Sequence, residues 1–230
     1  MREWSAIAVA VCLLSGWTAL RAHLQRSSAP PPEDLPAVEA VVTTPEPAPE
    51  QVGSIKLTRH SMRIAAAGRH LVDHRPGRRW RDDCSGFVSA VMTRAGIPMD
   101  GRVATIWASA ERNGALHHNP IPAIGDLVFF DNTHDRNKNG KWDDLRTHIA
   151  VVVDVDPEGT ILMAHNGSSR RLIQMNLLEP HVHETKDGAP RNSWLRRHGY
   201  GDDIPLYLTG QLWSGFATVS DPDAWLSDEE

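Results

Sequence analysis

One thiol in this chain sits where nucleophilic chemistry is favoured. In Arg81-Asp82-Asp83-Cys84-Ser85-Gly86-Phe87 the cysteine falls in the first turn of an expected helix, with Asp83 as N-cap. The unpaired amides and macrodipole at a helix N-terminus favour a thiolate, and the charges of Asp82 and Asp83 oppose it. The backbone N–H of Cys84 is placed to donate to a developing oxyanion. Such a nucleophile needs a base, most often histidine. His148, in Thr147-His148-Ile149-Ala150-Val151, stands at the entrance of an apolar strand. His165, in Ile161-Leu162-Met163-Ala164-His165-Asn166, ends the next one. Across a hairpin the two rings can meet, so that His165 orients the imidazole of His148; Asn166 is a chemically adequate substitute one residue on. Cys84, His148 and His165 are the candidate catalytic residues. The bland alternatives are a small buried thiol and two capped surface histidines; the polar setting of Cys84 speaks against the first.

The elements that must carry these groups are legible as a change of period. A helix is expected from Leu57 to about Asp73, with Ile64, Gly68, Leu71 and Val72 on one face, broken by His74-Arg75-Pro76-Gly77. A second starts at Cys84, carries Phe87, Val88, Val91, Met92 and Ala95, and stops at Gly96-Ile97-Pro98. After a polar middle section come strands: Leu127 to Phe130, Ile149 to Val155, Thr160 to Ala164 beyond the Asp156-Pro157-Glu158-Gly159 turn, and Leu172 to Leu177. Helices first and an antiparallel sheet second predict an α+β domain. The aromatic and leucine-rich tail after Ser193 reads as cover for the core.

Composition limits the partners. With 230 residues and a net charge of -5, the chain lacks the basic footprint of a nucleic-acid binder. The start, a short charged segment and then an apolar run from Ser5 to Leu20, predicts a signal peptide or signal anchor over residues 1–26. Residues 27–53, rich in proline and acidic residues and without Lys or Arg, predict a disordered spacer. The functional domain is expected over residues 54–230. Cys12 lies inside the leader, so its removal would leave Cys84 unpaired, and an unpaired thiol in an exported protein invites a reactive role.

Three blocks resemble the NlpC-type cell-wall cysteine peptidases and their relatives, the CHAP amidases. They are Asp83-Cys84-Ser85-Gly86-Phe87-Val88, Gly125-Asp126-Leu127-Val128-Phe129-Phe130 and His148-Ile149-Ala150-Val151-Val152. The resemblance spans roughly Leu57 to Leu177, with the blocks in the family's order. It implies a papain-like fold, its nucleophile at a helix N-terminus packed on an antiparallel sheet. It also implies hydrolysis of amide bonds in peptidoglycan stem peptides without a cofactor. Cys84 would attack, His148 would take its proton and His165 would orient His148. Asp83 and Ser85 occupy positions that in family endopeptidases help bind the free amine of the stem peptide, and a carboxylate is a fitting counter-ion for an ammonium. The expected setting is the periplasm or cell envelope, with a membrane tether through the N-terminal segment as one arrangement. Other functions compatible with the same residues are a catalytically silent, calcium-braced wall-binding module and a Cys–His acyltransferase.

Two departures stand out. The family's Tyr-x-x-Gly-Gly stretch before the cysteine is replaced by Arg75-Pro76-Gly77-Arg78-Arg79-Trp80, and the segment between Phe130 and His148 is long. That insertion, Asp135-Arg136-Asn137-Lys138-Asn139-Gly140-Lys141-Trp142-Asp143-Asp144, resembles the start of a calcium loop. Its twelfth position is Arg146 rather than glutamate, which excludes an EF-hand. Asp135, Asn137, Asn139 and Asp143 are the candidate ligands of a structural calcium, with a solvated hairpin tip as the plain alternative. No His or Cys spacing supports a zinc hydrolase.

Overall fold

The computed structural model describes residues 58–197, 206–220 and 225. The expected leader and proline-rich spacer lie outside these residues. Helix α1 (Arg59–Asp73) opens with a reciprocal cap: Thr58 Oγ1 accepts from the Ser61 amide, and Ser61 Oγ accepts from the Thr58 amide. Its buried face is Ile64, Ala65, Ala67, Gly68 and Leu71. A Cβ at Gly68 would lie 3.0 Å from Val153 Cγ1 and 3.3 Å from Ala164 Cβ, so the helix rests directly on the sheet. Helix α2 (Cys84–Ala95) is buried along most of its length and ends at Gly96, whose φ of 90° is the left-handed C-cap conformation.

Helix α3 (Val103–Arg112) falls in the section that reads as polar. It is held by a thin stripe, Val103, Ile106 and Ala110, all buried against the core. The strands are β1 (Leu116–His117), β2 (Leu127–Phe130), β3 (His148–Val155), β4 (Thr160–Asn166), β5 (Arg170–Asn176) and β6 (Trp213–Ala217), the last preceded by the short helix α4 (Thr209–Leu212). They form one antiparallel sheet in the order β1-β6-β2-β3-β4-β5. This is the α+β arrangement expected from the sequence, with a cysteine-bearing helix packed on an antiparallel sheet. No helix among the described residues is long and apolar enough to cross a membrane.

The sheet is covered on both faces, which is why its strands read as unbroken apolar runs rather than alternating ones. Leu127, Phe129, Ile149 and Val151 face the helices, and Val128, Phe130, Ala150 and Val152 face a second core completed by Ile173, Met175, Leu212 and Phe216. The tail therefore covers core as expected at Tyr207, Leu208, Leu212 and Phe216. Trp194 departs from that expectation. Trp194 is 48% exposed, and it lines the cleft described next.

Candidate active site

Cys84 is the first residue of α2, and the turn before it is built to hold it there. Asp83 Oδ1 accepts from the Gly86 amide at 2.7 Å and from Ser85 Oγ at 2.8 Å, which satisfies the helix start. Asp83 Oδ2 faces Arg81 Nε at 3.6 Å. The chain folds back so tightly that a Cβ at Gly86 would collide with the carbonyl of Arg81; only glycine fits. Desolvation raises the Cys84 thiol to about 11, and the charge of Asp83 adds to the rise. The amides of Ile149, Ser85 and Cys84 itself, hydrogen-bonded toward the sulfur, pull the other way. The resting thiol is thus protonated, with donors already in place for the charge that forms when it is not.

The amide of Ile149 brings the sulfur beside the residue that follows His148. His148 is the first residue of β3, and its Nε2 lies 2.9 Å from His165 Nδ1 on β4, the rings meeting edge to face. That bond leaves Nδ1 of His148 as the ring nitrogen available to a thiol. Burial, with a smaller contribution from the nearby charge of His165, holds His148 well below the usual histidine range. Burial and then Arg171 lower His165 to about 4. Both rings are therefore neutral at physiological pH. Asn166, the alternative orienter, points elsewhere: its amide donates to Asp82 Oδ1 at 3.3 Å.

Sequence reasoning missed the clamp that sets the entrance to β3. Arg146 Nη1 meets both carboxylate oxygens of Asp131, at 2.9 and 2.8 Å, and its backbone amide donates to Asp131 Oδ1 at 2.6 Å. The guanidinium also stacks 3.6 Å from the Trp107 ring. Arg146 sits at φ 57°, a left-handed conformation the clamp maintains two residues before His148. The only sequence trace was that Arg146 stood where a calcium loop needs glutamate.

Two clefts flank the Cys84–His148 region. On the cysteine side, one of about 590 Å³ is lined by Arg75, Pro76, Gly77, Arg78, Trp80, Arg81, Asp82, Phe87 and Asn166, the stretch that replaces the family's tyrosine and glycines. On the histidine side, one of about 740 Å³ contains His148 and His165 together with Trp142 from the insertion and Trp194 to Arg197 from the tail. Arg196 ties those two distant segments together, its guanidinium 4.4 Å from the Trp142 ring and 4.8 Å from that of Tyr207.

The four residues expected to ligate calcium do gather in one loop. Asp135 accepts from the amides of Asn139 and Gly140, Asn137 Oδ1 accepts from Asn139 N, and Asn139 Nδ2 reaches Asp143 Oδ1 at 3.4 Å. Their oxygens cap the loop's own amides. Among the described residues there is no group of three or more His, Cys, Asp or Glu fit to hold a metal ion.

A buried imidazole pair on adjacent strands, set against a thiol at a helix start, defines a cysteine–histidine site on an α+β scaffold. Residues 73–167 match the family model for the CHAP domain, which supports a domain of the CHAP type over that part of the chain. Among solved structures the chain is similar to a Staphylococcus aureus subsp. aureus Mu50 protein described as similar to lipoprotein, NLP/P60 family. The identity is 18% and the TM-score 0.34, covering 62% of this chain and 43% of that one. No curated protein matches the chain.

Proposed function

We propose that the chain is an exported thiol hydrolase that cuts amide bonds in peptidoglycan stem peptides, as an endopeptidase or amidase, with Cys84 as nucleophile, His148 as base and His165 as orienter. The observation that carries the reading is the 2.9 Å bond between His148 Nε2 and His165 Nδ1, on the strand whose Ile149 amide favours the Cys84 thiolate. For Nδ1 of His148 to accept a proton, its Nε2 must bear hydrogen and donate to His165 Nδ1, which leaves His165 protonated at Nε2. The neutral thiol then passes its proton to His148 Nδ1 as sulfur bonds to the substrate carbonyl carbon. The carbonyl oxygen takes up the negative charge facing the Cys84 amide. Collapse breaks the C–N bond while the imidazolium protonates the departing amine, leaving a thioester. A water molecule, deprotonated by His148, attacks that thioester; the carboxylate product leaves and the thiol regains its proton.

No step calls on a metal. A calcium ion held by Asp135, Asn137, Asn139 and Asp143 would brace the insertion that leads to His148 and nothing more. Asp83, whose side chain is 43% exposed, would meet a substrate ammonium through Oδ2, which it shares with Arg81 at 3.6 Å, while Ser85 fixes its other oxygen. An exported chain held by its first residues through a proline-rich spacer would place this site in the cell envelope.

The test is incubation of the full chain with purified peptidoglycan and identification of released fragments by mass spectrometry, beside Cys84→Ala. New peptide ends that vanish in the variant support the reading and name the bond. Intact wall in both samples, with thiol reduced and calcium supplied, overturns it.

A further inference from the structure

Among the described residues, the cleft on the histidine side is cationic and has no acidic lining residue. Arg171 and Arg197 line it and are exposed, and no aspartate or glutamate is among its lining residues. No ion pair among the described residues involves either arginine. Arg171 stands opposite His165 in the β4–β5 register, which fixes its position relative to the orienter. Arg196 lies buried behind them over Trp142, and Trp142 and Trp194 supply flat walls. Scattered surface arginines are ordinary. These two border the concave space that holds both imidazoles.

Reaction chemistry decides which part of a substrate occupies that space. His148 must deliver its proton to the departing amine, so the leaving-group half lies on the histidine side. We infer that this half carries a carboxylate bound by Arg171 and Arg197, so that the enzyme selects amide bonds whose amine side is acidic. The inference rests on the hydrolase reading above. A guanidinium offers a planar pair of donors matched to a carboxylate, and two of them in one cleft discriminate against a neutral amide of the same shape. An ammonium on the cysteine side at Asp83 and a carboxylate on the histidine side at Arg171 and Arg197 would together fix the direction in which a peptide lies across the site.

The experiment compares two walls. Purified peptidoglycan and the same material with its carboxylates converted to carboxamides by carbodiimide and ammonia are each incubated with the full chain, and new amine ends are counted over time. The wild type is expected to cut native wall about tenfold faster or more, the worth of one charge-assisted hydrogen bond. The released fragment bearing the new amine should carry the carboxylate. The Arg171→Gln/Arg197→Gln double variant should bring the native-to-amidated ratio close to one, and each single variant part of the way. A ratio measured within one preparation does not depend on how much of a variant folds, and the single variants serve if the double one does not fold. Equal rates for the wild type on both walls, or a double variant that keeps the full ratio, would overturn the inference and leave the hydrolase standing. A wild type that cuts neither wall overturns both.

Discussion

The two flanks of the Cys84–His148 site use arginine in opposite ways. On the cysteine side Arg75 meets Asp82 at 2.8 Å, and Arg81 is shared between Asp83 and Asp100 at 3.6 and 3.3 Å. Those guanidiniums hold the turn that presents the thiol, and the acids beside them absorb their charge. On the histidine side Arg171 and Arg197 have no carboxylate among the residues that line their cleft. The same side chain is a structural strut where acids surround it and a ligand-binding group where they do not. On the reading proposed above, paired charge builds the seat of Cys84, and the arginines that no described acid pairs are left for the substrate.

The comparison would break first at the catalytic pair. His148→Ala should lower kcat/KM on peptidoglycan by about 10⁴-fold, since it removes the group that moves both protons. Retained binding of the variant to insoluble wall, read by sedimentation, would show that the cationic cleft works apart from the chemistry. A variant with near wild-type turnover would remove His148 from the mechanism. His165→Ala should cost less, about 100-fold in kcat with KM little changed, because it only orients. His165→Asn should recover much of that, as an amide oxygen can accept the Nε2–H of His148. The acid limb of the pH–rate profile should move in His165→Ala, a shift that a purely structural role would not produce.

Acid tests the same two rings through stability. An unfolded histidine titrates near pH ~6.5, whereas folded His165 resists protonation until about 4, and His148 is lowered as well. Between those values the unfolded chain binds more protons, so stability is complete above pH ~6.5 and falls as the pH drops toward 4. His165 alone accounts for about 3 kcal/mol of that fall. Denaturant midpoints measured above pH ~7 and near pH ~5 should differ in this direction, and His165→Asn should flatten the difference. A midpoint indifferent to pH across that window would mean that the imidazole pair is not buried as described. Cys84 has the opposite sign at the alkaline end: its raised pKa removes stability as pH climbs from about 9 toward 11.

What could be read from the sequence follows the range of the interactions. The places of Cys84, His148 and His165 were legible because each lies at a local boundary, a helix start or a strand end marked by its neighbours. The strands were legible because both faces of the sheet are buried and leave apolar runs. Helix α3 was not, since Val103, Ile106 and Ala110 keep helical spacing inside a stretch otherwise rich in polar residues. The Asp131–Arg146 clamp joins residues fifteen apart through a left-handed backbone that no periodicity encodes. Least legible was the cationic cleft. Trp142 and Trp194 come from an insertion and a tail that meet only in three dimensions, so the sequence showed one as part of a loop and the other as core cover.

The smallest expected effect sharpens the comparison most. Arg75 and Asp82 form a close ion pair, yet their side chains are 70% and 63% exposed, so solvent screens most of its worth. Arg75→Ala should change stability by no more than about 0.5 kcal/mol, measured by thermal or denaturant unfolding. Asp82 would keep its hydrogen bond from Asn166. The native-to-amidated wall ratio should not move, because the cation removed was already balanced by its neighbour. If Arg75→Ala erodes that ratio as strongly as Arg171→Gln does, carboxylate recognition extends across both flanks. The pairing of arginines with acids would then no longer separate the residues that build the site from those that read the substrate.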